Sequence, residues 1–131
     1  MKKVRSAENQ YKKRILVIDD DPLIGDVLKE FLLYMGFFPL VARKSSEALE
    51  LFHSWKGEFD LILMDLILQE KYYLETFSAI KKLRNDVKIV VMSGYIDHEK
   101  LRKIPEMNLK GYIQKPFDVE RLFHLIQEAL L

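Results

Sequence analysis

Ile15-Leu16-Val17-Ile18-Asp19-Asp20-Asp21-Pro22 is the stretch from which the fold is read. Four consecutive aliphatic residues show neither alternation nor helical spacing, which fits a short strand covered on both faces, as in a parallel sheet. The acids and the proline end that strand and open a helix, because Asp21 can cap a helix N-terminus and Pro22 suits the first turn. Behind them Ile24, Val27, Leu28, Phe31 and Met35 line one helical face, and Gly36 supplies a stop.

Outward from there the pattern repeats. Leu61 to Met64 and Val87 to Met92 are further strand-like apolar runs, with weaker candidates at Phe37 to Val41 and Gly111 to Gln114. Helical patterns lie near Ser46–Ser54 and Leu74–Arg84, and a last helix is expected after Asp118 with Leu122, Leu125, Ile126 and Ala129 on one side. Another should begin near Asp97, shortened or kinked by Pro105. Alternating strands and helices imply an α/β domain: a doubly wound five-stranded parallel sheet, order 2-1-3-4-5, with helices on both faces. In that order the winding reverses between strands 1 and 3, opening a crevice at their carboxyl ends.

The 131 residues, 49% hydrophobic and 31% charged, suit one domain with a real core. We place its start at residue 14 and read 1–13 as a basic leader ahead of a domain spanning 14–131. Residues 1–14 carry six basic side chains against Glu8, whereas 15–131 carry fifteen against nineteen acids. Without aromatic interleaving the leader reads as a solvated end, so no direct nucleic-acid binding is expected. No apolar run approaches the about 20 residues of a membrane span, and no signal peptide is evident, so no membrane partner and a cytoplasmic location are expected. The absence of cysteine excludes disulfides and thiolate metal sites.

The strand ends carry the chemistry. Strand 1 delivers Asp19 and Asp20, strand 3 Asp65, strand 4 Ser93 and strand 5 Lys115, all to one edge of the sheet. Singly these are ordinary turn and cap residues. Together they make a site with a definite requirement, since clustered carboxylates that receive a phosphoryl group need positive charge. A hard cation such as Mg²⁺ or Mn²⁺ meets that need through carboxylate, carbonyl and water oxygens, and Lys115 adds a fixed charge. Such a site can make a carboxylate a phosphoryl acceptor.

From about Arg14 to the C-terminus the chain resembles the response-regulator receiver family. The resemblance rests on Ile15-Leu16-Val17-Ile18-Asp19-Asp20-Asp21, Phe59-Asp60-Leu61-Ile62-Leu63-Met64-Asp65-Leu66, Val90-Val91-Met92-Ser93-Gly94 and Gly111-Tyr112-Ile113-Gln114-Lys115-Pro116-Phe117. It implies a flavodoxin-like fold and a two-component or phosphorelay role. Asp65 would be the phosphoacceptor, with Asp19, Asp20, Asp65 and the Ile67 backbone carbonyl holding the metal. Ser93 and Lys115 would contact the phosphoryl group, and Tyr112 would be an aromatic switch. The resemblance also implies a cis Lys115-Pro116 bond, a histidine kinase or histidine phosphotransfer protein as donor, and a downstream protein target. It implies no turnover enzyme, and it allows a homodimer through the face formed by the helix expected from Asp97, the fifth strand and the last helix.

The chain also departs from the family. Where many receivers have Met-Pro-Gly and then Asp-Gly after the phosphoacceptor, it has Leu68-Gln69-Glu70-Lys71-Tyr72-Tyr73, which puts the aim of the Ile67 carbonyl in question. Ile67 and Tyr95, two residues beyond Asp65 and Ser93, stand where they can obstruct an attacking water, so slow autodephosphorylation is expected. Two rival readings follow. One is a receiver-like interaction module that is never phosphorylated. The other is a haloacid-dehalogenase-like phosphatase with Asp19 as nucleophile, disfavoured by the short chain and by Leu23 where a hydroxyl is needed.

Overall fold

Apolar runs without alternation should pair as interior strands of a parallel sheet, and a computed structural model describing residues 12–66, 73–94 and 109–131 (the side chains of 73 and 74 excepted) shows that they do. The strands are β1 (Arg14–Ile18), β2 (Phe38–Ala42), β3 (Leu61–Asp65), β4 (Ile89–Ser93) and β5 (Leu109–Gln114). The described helices are α1 (Pro22–Tyr34), α2 (Ser45–Ser54), α3 (Tyr73–Leu83) and α4 (Val119–Leu130). All strand pairs are parallel and the order is β2-β1-β3-β4-β5.

The sheet divides the core in two by the two-residue period of its strands. Ile15, Val17, Leu61, Leu63, Val90 and Met92 pack on the side of α1 and α4, with Leu28, Leu32, Leu122 and Ile126. Leu16, Ile18, Ile62, Met64, Ile89 and Val91 pack on the other side, with Phe52 of α2 and Phe77 and Ile80 of α3. Every residue of β1, β3 and β4 is buried, whereas the edge strands β2 and β5 are only partly covered. Each aliphatic side chain withdrawn in this way stabilises the fold by about 1.5–3 kcal/mol.

The helix ends follow the local signals. The Asp21 side chain accepts hydrogen bonds from the amides of Leu23 (3.0 Å) and Ile24 (3.4 Å), and Pro22 begins α1. Gly36 takes φ 91° just beyond the helix, a conformation that costs glycine little. Asp118 caps α4 by accepting from the Arg121 amide at 2.7 Å.

Some boundaries moved. Val87 is buried but precedes the ladder, and Leu109 and Lys110 join β5 ahead of Gly111. There the register shifts: Ile89 pairs with Leu109 while Val90 pairs with Gly111, so Lys110 is an extra residue that interrupts alternation. Arg84 lies one residue past the end of α3, and its guanidinium donates to the carbonyls of Gly57 (2.9 Å) and Phe59 (2.7 Å). The leader up to residue 11 and the helix expected from Asp97 lie outside the described residues.

Candidate functional site

The first three site carboxylates arrive by the strand order. Asp65 ends β3, and Asp19 and Asp20 follow β1, the strand beside it. Each of the three offers a carboxylate oxygen, and these atoms lie within 4.8 Å of one another. Lys115 follows β5, two strands from β3, and its amide donates to the Ser93 carbonyl at 2.7 Å. That main-chain bond fixes the root of the lysine, and the Lys115-Pro116 bond is cis.

The lysine Nζ donates to Asp19 Oδ2 and to Asp65 Oδ2, both at 2.7 Å. Asp19 is fully buried, and its other oxygen, Oδ1, accepts from the Asp21 amide at 2.9 Å. Burial raises the Asp19 carboxyl above its ordinary value, against the hydrogen bond from Lys115. Burial alone would lower Lys115, but its hydrogen bonds to Asp19 and Asp65 outweigh it and raise the ammonium above its ordinary value. Asp65 is buried at the mouth of the site and Asp20 is exposed, so a hard cation can approach from water. Three carboxylates in that space, with a single ammonium between two of them, are a donor set that fits Mg²⁺ or Mn²⁺.

Ser93 ends β4 beside this group and is buried. Tyr112 lies on the edge strand β5 with 47% of its surface exposed, outward rather than in the core. Ile67 and Tyr95 lie outside the described residues, as does nearly all of the 68–73 loop. The geometry does not favour Asp19 as a nucleophile, because both of its oxygens are engaged and it has no contact with water.

Two features escaped the sequence reading. The Asp21 amide orients Asp19, for which the cap signal at Asp21-Pro22 was the available clue. Beside the site is an apolar hollow of about 290 Å³ between Ile24, Val27 and Phe31 of α1 and the Lys115-Pro116-Phe117 turn. Its trace in the sequence was an α1 apolar set broader than one buried stripe, with Leu23 and Val27 exposed.

Known proteins resemble this chain in sequence and in fold. The DNA-binding transcriptional regulator NtrC of Azospirillum brasilense is 34% identical over 118 residues, 88% of this chain and 24% of that protein. The two-component response regulator ARR22 of Arabidopsis thaliana is 29% identical over 126 residues, 95% of this chain and 89% of that protein. The chain spans 24% to 52% of the length of six bacterial regulators that it matches. Among solved structures, a CheY-like receiver domain protein from Methanospirillum hungatei JF-1 superposes with a TM-score of 0.81 at 31% identity, covering 91% of this chain and 94% of that one. The family model of the response regulator receiver domain matches residues 15–127, and the chain belongs to that family.

Proposed function

We propose that Asp65 accepts a phosphoryl group from the phosphohistidine of a histidine kinase or histidine phosphotransfer protein, and that the aspartyl phosphate switches a binding face for a downstream protein. The observation that carries this reading is the pair of 2.7 Å hydrogen bonds by which Lys115 joins Asp65 to Asp19, with an Asp20 oxygen in the same group. A divalent cation held by Asp19, Asp20 and Asp65, with the Ile67 carbonyl as a further ligand, would supply positive charge against the phosphoryl oxygens.

The chain's own residues do the rest. An Asp65 carboxylate oxygen bonds to phosphorus while the bond from phosphorus to the donor imidazole nitrogen breaks, the electron pair leaving with the imidazole. Lys115 exchanges its hydrogen bond to Asp65 for one to a phosphoryl oxygen and keeps Asp19 as its fixed counter-ion. Ser93 donates to another phosphoryl oxygen, and Tyr112 turns into the space that Ser93 leaves. Catalysis is therefore positioning and charge neutralisation, with no turnover of substrate. The hollow beside Lys115 suits an apolar side chain of the donor protein. A switched face near β5 and α4 suits the downstream target or a second copy of the chain, in the cytoplasm. Ile67 and Tyr95 would screen the aspartyl phosphate from water and lengthen its life; an unchanged lifetime in Ile67→Asn would remove that role.

Incubation with a small acyl phosphate and Mg²⁺, followed by intact-mass and peptide mass spectrometry, tests the reading. One phosphoryl group on Asp65, lost on chelation and in Asp65→Asn, is expected. Label on Asp19 with hydrolysis of phosphate esters would establish the phosphatase reading. No label, and no amide shifts on adding beryllofluoride with Mg²⁺, would leave the chain as an interaction module.

A further inference from the structure

β4 and β5 end side by side, with Ser93 opposite Gln114 in the parallel register. The next residues along the two strands are Gly94 and Lys115. At this end the Lys115 amide donates to the Ser93 carbonyl at 2.7 Å, which pins the main chain of Ser93. One residue further along, a side chain supplies another link: Gln114 Nε2 donates to the Gly94 carbonyl at 3.5 Å. The chain neighbours of Ser93 and Lys115, the two residues assigned to the phosphoryl oxygens, are therefore joined to each other.

Packing does little to hold Gly94. It is exposed, it has no side chain, and no described atom outside its chain neighbours lies within 4 Å of the point where a Cβ would stand. Ser93, by contrast, is buried. The first main chain past the pinned Ser93 carbonyl that is free to turn is thus a glycine, the residue with the widest choice of conformations. Gln114 restrains it there. Gln114 also shares one face of β5 with Tyr112, because side chains two apart in a strand point the same way, and it stands one step nearer the site. A neutral, exposed hydrogen bond of this length is weak. It biases an equilibrium between two positions of the loop without locking either one.

We propose that Gln114 is a positioning residue of the switch: its side-chain amide holds the Gly94 carbonyl, and through it Ser93, in the unmodified position, and releases them when Asp65 carries a phosphoryl group. The inference rests on the reading of Asp65 as phosphoacceptor and adds a residue to it. Movement of Ser93 toward the phosphoryl oxygens turns the Gly94 peptide and breaks the link, so the bond opposes switching. Gln114 touches neither Asp65 nor any of the site carboxylates among the printed contacts, so it acts through Gly94 alone.

Gln114→Met removes the donor at nearly constant size, and Gln114→Ala removes donor and bulk together. The whole chain and both variants are titrated with beryllofluoride in the presence of Mg²⁺, and the amide signals of Ser93, Gly94 and Tyr112 are followed. Saturation of the wild type is expected, with both variants reaching half-saturation at about two- to fivefold lower beryllofluoride, the factor that one weak hydrogen bond supplies. Before any addition, the Gly94 and Tyr112 signals of both variants should already lie part of the way toward their saturated positions. A merely structural glutamine would alter the melting temperature and leave those signals in place. The proposal is overturned if the wild type saturates while both variants titrate as it does or more weakly, or if their Gly94 signals do not move. A wild type that gives no shifts at all overturns the phosphoacceptor reading and this one with it.

Discussion

Lys115 and Arg14 occupy opposite ends of the same parallel sheet, and each is a cation largely withdrawn from water, with 18% and 2% of its side chain exposed. Lys115 is surrounded by carboxylates: it touches Asp19 and Asp65, and Asp20 is close by. Arg14 is surrounded by π faces and main-chain oxygen, with a single carboxylate, that of Glu58, at 3.9 Å. Its guanidinium lies 3.9 Å from the Trp55 ring centroid and about equally far from Phe38 (5.8 Å) and Phe59 (6.0 Å), and it donates to the Glu58 carbonyl at 2.6 Å. The difference is instructive. One guanidinium set against one carboxylate, with aromatic rings and a carbonyl around it, leaves no negative charge in excess at that end, although its buried Nε has no hydrogen-bond partner. One ammonium among three carboxylates leaves negative charge in excess, so the other end is receptive to more positive charge and can change state.

If this contrast is right, the two cations should fail differently. Lys115→Met should slow phosphorylation of Asp65 by about 100-fold or more, as loss of a transition-state donor does. It should also cost about 1–3 kcal/mol of stability by stranding two carboxylates. Labelling rates and urea unfolding measure the two effects, and an unaffected rate would break the comparison. Arg14→Met should destabilise by about 2–3 kcal/mol and change Trp55 emission, because the ring loses its cation and packing is disturbed, while the phosphorylation rate of the folded protein stays unchanged.

The pH dependence sharpens the contrast. Since the folded-state pKa of Lys115 lies above the ordinary 10.5, its stabilisation is complete below that value and is lost as pH rises through the folded-state pKa. Asp19 works the other way: its carboxyl is raised above 3.8, so stability falls as pH rises from that value through the folded-state pKa. Urea midpoints of wild type and Lys115→Met between about pH 9 and about pH 11 should diverge least at the alkaline end. The smallest effect is expected at Gly57→Ala, where φ is 71° and a methyl group would sit 3.1 Å from the Phe52 ring. About 1 kcal/mol should be lost in thermal unfolding, with phosphorylation untouched.

Much of the architecture was readable residue by residue, because it follows from neighbours in the chain. Ile15 to Ile18, Leu61 to Met64 and Val90 to Met92 announce buried strands by unbroken hydrophobicity, and Asp21-Pro22, Gly36 and Asp118 announce helix ends by capping chemistry. The start of β5 was not readable, since the extra Lys110 and the glycine after it conceal the alternation. The site residues were readable as types at strand ends, and the family motifs supplied their proposed roles.

What local pattern cannot specify is which distant groups meet. Lys115 reaches Asp19 across 96 residues and Asp65 across 50, a meeting produced by the 2-1-3-4-5 strand order and the turn after β5. Arg14 was readable as the first residue of the domain but not as a buried one, yet the fold buries it, because Trp55, Phe38 and Phe59 from three separate segments close around it. Leu83 likewise looked like part of a helical face, and only the ends of α2 and α3 lying side by side leave it over a hollow. Propensity and capping act over a few residues, whereas charge pairing and cavity shape depend on distances in space that chain closure alone establishes.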